Sequence, residues 1–98
     1  MFKDLDPLLH SQLRLAIVSL LMAVEDAEFN FIKEKTNSTA GNLSVQLTKL
    51  KDAGYIEISK SYRDNFPLTT CKITENGRVA FDHYVSALEG YIKLRDSQ

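Results

Sequence analysis

Thr39-Ala40-Gly41-Asn42-Leu43-Ser44-Val45-Gln46-Leu47-Thr48-Lys49-Leu50-Lys51-Asp52-Ala53-Gly54-Tyr55-Ile56-Glu57-Ile58 is the stretch that decides the fold. Leu43, Leu47 and Leu50 recur at the spacing that places side chains on one face of a helix. Ser38 or Thr39 stands just before it, and either hydroxyl would accept one of the unpaired backbone N–H groups of the first turn. Gly54 follows the last periodic residue, where a left-handed backbone ends a helix. From Tyr55 the period changes to two, with Ile56 and Ile58 alternating with polar residues as on a half-buried strand. A helix over about 39–53 and a strand over 55–62 are therefore predicted.

Working outward, Thr36-Asn37-Ser38-Thr39 is a polar break. Before it, Asn30 is a suitable N-cap for a short helix carrying Phe31, Ile32 and Lys35. Further upstream, Leu13, Ile17, Leu20, Leu21 and Val24 define the buried face of another helix, which Glu25-Asp26 ends. Pro7 suits a first helical turn, and Ser11 either caps a new helix or interrupts one. Downstream, Arg63-Asp64-Asn65-Phe66-Pro67 reads as a turn-rich tip and Leu68 to Ile73 as the returning strand. Thr74 caps a last helix, over about 75–94, that carries Phe81, Tyr84, Val85, Leu88, Tyr91 and Ile92 on one side.

The predicted order is helix, helix, helix, hairpin, helix, in a mainly α chain with a small β-hairpin. Two short helices about a tight polar turn, followed by a hairpin, match a winged helix-turn-helix. In that arrangement a helix enters the major groove of DNA and its N-terminal half reaches base edges. Projected at about 100° per residue, the side opposite the leucines collects Gly41, Asn42, Val45, Thr48, Lys49 and Asp52, with Ser38 or Thr39 at the tip and Gln46 on the flank. Such a face is small and mostly uncharged, and Asn or Gln pairs bidentately with adenine. Gly41 admits close backbone approach. On the hairpin (the wing, about 55–73), Lys60, Tyr62, Arg63 and Asn65 would lie against the sugar-phosphate backbone or enter the minor groove. An ordinary solvated helix face and a hairpin edge guarded by cations would read the same way.

The chain also resembles small stand-alone winged-helix transcriptional regulators of the MarR/ArsR-like superfamily. The resemblance rests on Leu5-Asp6-Pro7-Leu8-Leu9-His10-Ser11 with Leu13-Arg14-Leu15-Ala16-Ile17. It continues in Gly41-Asn42-Leu43-Ser44, Leu47, Lys49-Leu50 and Ala53-Gly54-Tyr55-Ile56. Pro67, Thr69, Ile73-Thr74-Glu75, Gly77-Arg78 and Ala80-Phe81 complete it, so it covers about Leu5 to Leu88. It implies a winged-helix fold, a homodimer and sequence-specific DNA binding; a dimeric regulator is then expected to bind a pseudo-palindromic double-stranded DNA. By position it sets Thr39, Asn42, Val45, Gln46 and Lys49 toward DNA. The chain departs from many relatives at Gln46, where they carry histidine, and at Cys71, where an aromatic is usual, so their base preference does not transfer.

The last helix carries more apolar surface than a small three-helix core needs. Tyr84, Leu88, Tyr91 and Ile92, with Leu5, Leu8 and Leu9 of the N-terminus, are therefore expected at a dimer interface. An unknown small-molecule effector in an aromatic pocket lined by Phe81, Tyr84 and Tyr91 is one further reading. A winged-helix module for protein contacts in a larger assembly, without specific DNA binding, is another.

Composition bounds the rest. Ninety-eight residues, 44% hydrophobic and 26% charged, suit one globular domain. One cysteine excludes an internal disulfide and any cysteine-rich zinc site. Asp82-His83 is the sole suggestive ligand pair, and adjacent helix residues point about 100° apart, so no metal is expected. Nor is any other cofactor expected. There is no Gly-rich phosphate loop, nucleophile elbow or His-Glu-x-x-His helix, so no enzyme is expected. Arg14 and Ser19 interrupt the best apolar run, and Met1-Phe2-Lys3-Asp4 has no signal-peptide pattern, which points to the cytoplasm and away from membranes.

The net charge of -1 conceals an uneven distribution. Residues 1–32 sum to -3, residues 33–63 to +3 and residues 64–98 to -1. The positive charge lies on the third helix, the wing and their approach. A binder of this kind relies on shape and base contacts and shows a modest salt slope.

Overall fold

A computed structural model describes residues 2–96. Seven elements follow in order: α1 (Gln12–Ala23), β1 (Ala27–Glu28), α2 (Phe29–Thr36), α3 (Ala40–Asp52), β2 (Ile56–Arg63), β3 (Phe66–Ile73) and α4 (Glu75–Asp96). Four helices surround a small antiparallel sheet in the order β1-β3-β2. The predicted mainly α architecture with a hairpin is the one observed, with one added strand.

That strand, β1, pairs Ala27 with Cys71 and Glu28 with Thr70. It displaces the expected start of α2. The chain passes directly from strand to helix, so Glu28 rather than Asn30 occupies the N-cap position, and its side chain makes no cap bond. Asn37 ends α2 in the left-handed region (φ 53°), a conformation that asparagine tolerates better than most residues. Thr39 then caps α3, its hydroxyl accepting from the Asn42 backbone N–H at 3.2 Å. At the far end Gly54 adopts φ 79°.

Pro7 opens a turn instead of a helix. Asp6 closes it: its Oδ1 accepts from the Leu8 N–H at 2.9 Å and its carbonyl from the His10 N–H at 2.8 Å. Helix α1 starts only after extended Ser11, whose side chain makes no cap bond. The turn carries Leu9 into the core.

The core joins one face of every helix to one face of the sheet. Leu9, Ile17, Val18, Leu21, Ile32, Leu43 and Leu50 are fully enclosed, as is Cys71. Leu47, Ile56, Ile73 and Tyr84 complete the cluster. Each large side chain so buried contributes about 1.5–3 kcal/mol. Burial also pushes the Cys71 thiol up to about 11 from an ordinary 9. Native protein should therefore resist iodoacetamide at pH 8 and react fully in denaturant. Mass spectrometry of the alkylated chain checks this, and equal rates in the two conditions would contradict the burial.

The hairpin turn is tighter than predicted. Only Asp64 and Asn65 lie in the turn, both at positive φ (50° and 68°), as a two-residue type I′ connection requires. Phe66 and Pro67 belong to β3 and face Arg63 and Tyr62. Proline is tolerated there because β1 reaches only Thr70 and Cys71, leaving that flank of β3 open.

Helix α4 begins at a tight junction. Thr74 caps it through the Gly77 N–H (3.0 Å) while its own hydroxyl donates to the Gly54 carbonyl (2.6 Å). The helix continues past its last buried residue, Ala87, to Asp96, and the molecule is 58 Å long and 25 by 21 Å across. No described helix is long and apolar enough to cross a membrane.

Candidate nucleic-acid interface

The turn between α2 and α3 sets the exposed helix. Thr36 donates its hydroxyl hydrogen bond to the Ile32 carbonyl at 2.7 Å, and its oxygen lies 2.9 Å from the Ser38 hydroxyl. Backbone bonds from Asn37 to the Glu34 carbonyl and from Ser38 to the Lys33 carbonyl (both 3.2 Å) close the turn. Ser38, expected at the DNA-facing tip, is thus half-buried and occupied with Thr36.

With Leu43, Leu47 and Leu50 buried, α3 turns Thr39, Gly41, Asn42, Ser44, Val45, Thr48 and Lys49 outward. Val45 is 52% exposed and stands in an apolar patch with the Thr48 side chain. Nothing lies within 4 Å of where a Gly41 side chain would begin. The first half of the helix carries no charge, and its cations, Lys49 and Lys51, sit in the last turn. Gln46 behaves differently from its neighbours. It is half-buried, its Oε1 accepts from Arg14 Nη1 at 2.5 Å, and its Nε2 donates to Asn42 Oδ1 at 3.1 Å.

The four wing residues do not form one cluster. Strand alternation puts Lys60 and Tyr62 on the face that also carries Ile56 and Ile58, the face turned toward the core and α3. Arg63 lies on the opposite face, where it makes an ion pair with Glu28 of β1. Asn65 sits in the turn itself. Beyond the predicted set, Phe66, paired with Arg63 and so on the face opposite to Tyr62, is 74% exposed, and Tyr62 is 78% exposed.

The expected dimer residues separate as well. Leu9 (0% exposed) and Tyr84 (4%) lie inside the protomer and have no side-chain surface to give to a second copy. The Tyr84 hydroxyl lies 3.0 Å from His10 Nδ1. Leu5, Leu8 and Leu88 are half-buried against the core. Tyr91 donates to the Lys3 carbonyl at 3.0 Å and its ring lies 4.8 Å from that of Phe2. Ile92 is 43% exposed.

A cleft of about 410 Å³ lies between the N-terminal segment and α4, lined by Asp4, Asp6, Tyr55, Asn76, His83 and Tyr84 among others. Of the three aromatics expected to line a pocket, Tyr84 does so here, while Phe81 and Tyr91 stand outside this cleft. Across it Tyr55 donates to Asp6 Oδ2 at 2.5 Å. That bond, then burial, then the carboxylate charge push the Tyr55 phenol up to about 12. Among the described residues, no group of three or more His, Cys, Asp or Glu could hold a metal ion.

A family model described as a winged helix DNA-binding domain matches residues 13–92. The chain belongs to that family. Its α2–α3 pair is the helix-turn-helix and its β2–β3 hairpin the wing of the winged helix. An uncharacterised protein of Methanocaldococcus jannaschii is 45% identical over 76 residues, covering 78% of this chain and 83% of its own. The fold is also that of the transcriptional regulator homologue from Pyrococcus horikoshii OT3 (TM-score 0.85, 28% identity, 91% of this chain and 88% of that one). A second similar structure, Bacillus subtilis PadR in complex with operator DNA, shares the fold at TM-score 0.67 and 18% identity over 76% of this chain and 48% of that one. MarR-family regulators are among the structural neighbours of this winged helix, as the sequence resemblance implied.

Two residues that shape this winged-helix surface escape a reading of local pattern. Arg14 is a lone cation among the apolar residues of α1, and that oddity was the available signal. Glu28 gave none, because its pairing with Arg63 depends on β1.

Proposed function

We propose that this winged helix domain is a sequence-specific, double-stranded-DNA-binding transcriptional regulator that acts as a homodimer and represses. Helix α3 enters the major groove, and the wing lies on the backbone or in the minor groove. The observation that carries this reading is the outer face of α3. Thr39, Gly41, Asn42 and Val45 form an exposed, uncharged N-terminal half, with Lys49 at its rear. A helix seated between two phosphate walls needs that arrangement.

The dimer reading is supported by α4, where Phe81, Val85, Leu88 and Ile92 recur at helical spacing along one stripe. Val85 and Ile92 are exposed, and Leu94 is 45% exposed farther along. Such a stripe suits a second copy with two-fold symmetry, and paired α3 helices would then read a pseudo-palindrome.

Selection of bound duplexes from a random pool, followed by sequencing, tests the reading and reports half-site spacing. Enrichment of two related half-sites is expected. Asn42→Ala should then relax preference at one base position, while Lys60→Ala should weaken all duplexes alike. Binding without enrichment would sink the specific-regulator reading. Exposed Tyr62 and Phe66 at the wing tip favour a second reading, a module for protein contacts. That reading requires a partner whose binding is lost on changing Tyr62 while duplex selection fails.

The Glu28–Arg63 pair leads to a further expectation. Glu28→Gln should release Arg63 for phosphate and raise affinity for every duplex by about two- to fivefold at low salt. The salt slope should steepen by at most about one. A titration across salt concentrations checks this, and unchanged affinity would place Arg63 away from the backbone.

A further inference from the structure

Arg14 makes two bonds with one guanidinium. Its Nε donates to the Leu8 carbonyl at 2.6 Å, and its Nη1 donates to Gln46 Oε1 at 2.5 Å. A guanidinium has donors and no acceptor. The Gln46 atom facing it must therefore be the oxygen. The Gln46 nitrogen is then the atom that faces Asn42, and it donates to Asn42 Oδ1 at 3.1 Å. Since an amide NH₂ can only donate, Asn42 must turn its oxygen inward to receive it. The Asn42 Nδ2 group is the part left uncommitted, on a residue exposed at the outer face of α3.

We propose that Arg14 is a positioning residue for base recognition, fixing the amide polarity of Gln46 and, through it, of Asn42 before the helix meets a base edge. This rests on the reading of α3 as a major-groove helix. A solvated asparagine samples several rotamers and both amide orientations, so it offers a donor or an acceptor to whichever base edge it meets, and ordering it on binding costs affinity. The relay removes that cost from a polar side chain with no packing of its own. It also explains why Gln46, on the flank of α3, is half-buried. Its part is to transmit an orientation set by α1. Arg14 itself is half-buried, with its Nε and Nη1 both engaged within the protomer.

A mutant cycle on the selected duplex tests this. Arg14→Met and Gln46→Met should each reduce preference at the base read by Asn42 by roughly tenfold. Neither should change the salt slope. Both effects should vanish in an Asn42→Ala background, because the relay acts only through that amide. Gln46→Met keeps the Arg14–Leu8 bond, so it carries the test should Arg14→Met fail to fold. Undiminished effects in the Asn42→Ala background would overturn the proposal. So would a salt slope shallower by about one with base preference intact, which would make Arg14 a phosphate contact. Absence of any selected sequence with the wild-type chain would remove the regulator reading and this proposal together, whereas the other two outcomes remove Arg14's role alone.

Discussion

Gly77→Ala is expected to cost the domain about 3 kcal/mol or more, which urea denaturation reads as a clearly lowered midpoint. A Cβ built on Gly77 would lie 2.2 Å from the Tyr55 carbonyl oxygen and 2.8 Å from Ile73 Cγ1. Neither neighbour can yield cheaply. The Tyr55 carbonyl already accepts from the Thr74 N–H at 3.0 Å, and the Tyr55 N–H donates to the Leu50 carbonyl at 2.9 Å. Ile73 is buried and paired with Ile56. The added methyl must therefore push α4 away from the α3–β2 junction, breaking the Thr74 cap at the same place. Total stabilities of small domains are about 5–15 kcal/mol, so the loss is a large fraction of what holds the fold. Gly41→Ala is the control, since nothing lies within 4 Å of its Cβ and the residue is helical. It should keep or slightly raise stability. Urea denaturation of the two variants checks both, and equal midpoints would refute the close-contact explanation.

Leu43→Ala should lose about 2–5 kcal/mol. Leu43 is fully enclosed on the inner face of α3, next to outward-facing Asn42. Removing its isobutyl group leaves a hole among rigid neighbours, because helices α1 and α3 are both pinned by other leucines and isoleucines. Val45→Ala, only two residues along, should change stability by less than about 0.5 kcal/mol, since that side chain faces solvent. Matched denaturation curves separate the two faces of α3. A similar cost at both positions would mean that α3 is rotated relative to the structure described.

How much of this was legible in the sequence depended on the range of the interaction that decides each feature. Thr39, Gly54 and Thr74 act within a few residues of themselves, and their roles as helix boundaries read directly from neighbouring periodicity. The leucine face of α3 is equally local. Strand β1 has two residues and exists only because Ala27 and Glu28 meet Cys71 and Thr70 far along the chain. No local periodicity can announce so short an element, and the displaced cap of α2 followed from missing it. Pro67 misled for the opposite reason. Proline punctuates turns, but an open strand flank tolerates it too.

The site followed the same division. The exposed face of α3 was legible from helical projection, because burying three leucines determines what faces out. The engagements of Gln46 with Arg14 and of Arg63 with Glu28 join residues remote in sequence, so those side chains read as free. Leu9 and Tyr84 read as surplus apolar surface. The turn that folds Leu9 inward, together with the contact from His10 to Tyr84, makes them part of the protomer's own core.

The projecting length of α4 has a geometrical consequence. Its 22 residues form a rod of about 33 Å, rooted at Gly77 against the reading helix's own junction. A rod converts angle into distance: tilting it by about 10° about its root moves the far end by about 6 Å. In the proposed two-copy assembly, the separation of the two α3 helices is then governed by a joint angle. Because Gly77, Tyr84 and Ala87 are all buried, that angle is fixed by the protomer's own packing and not by the second copy.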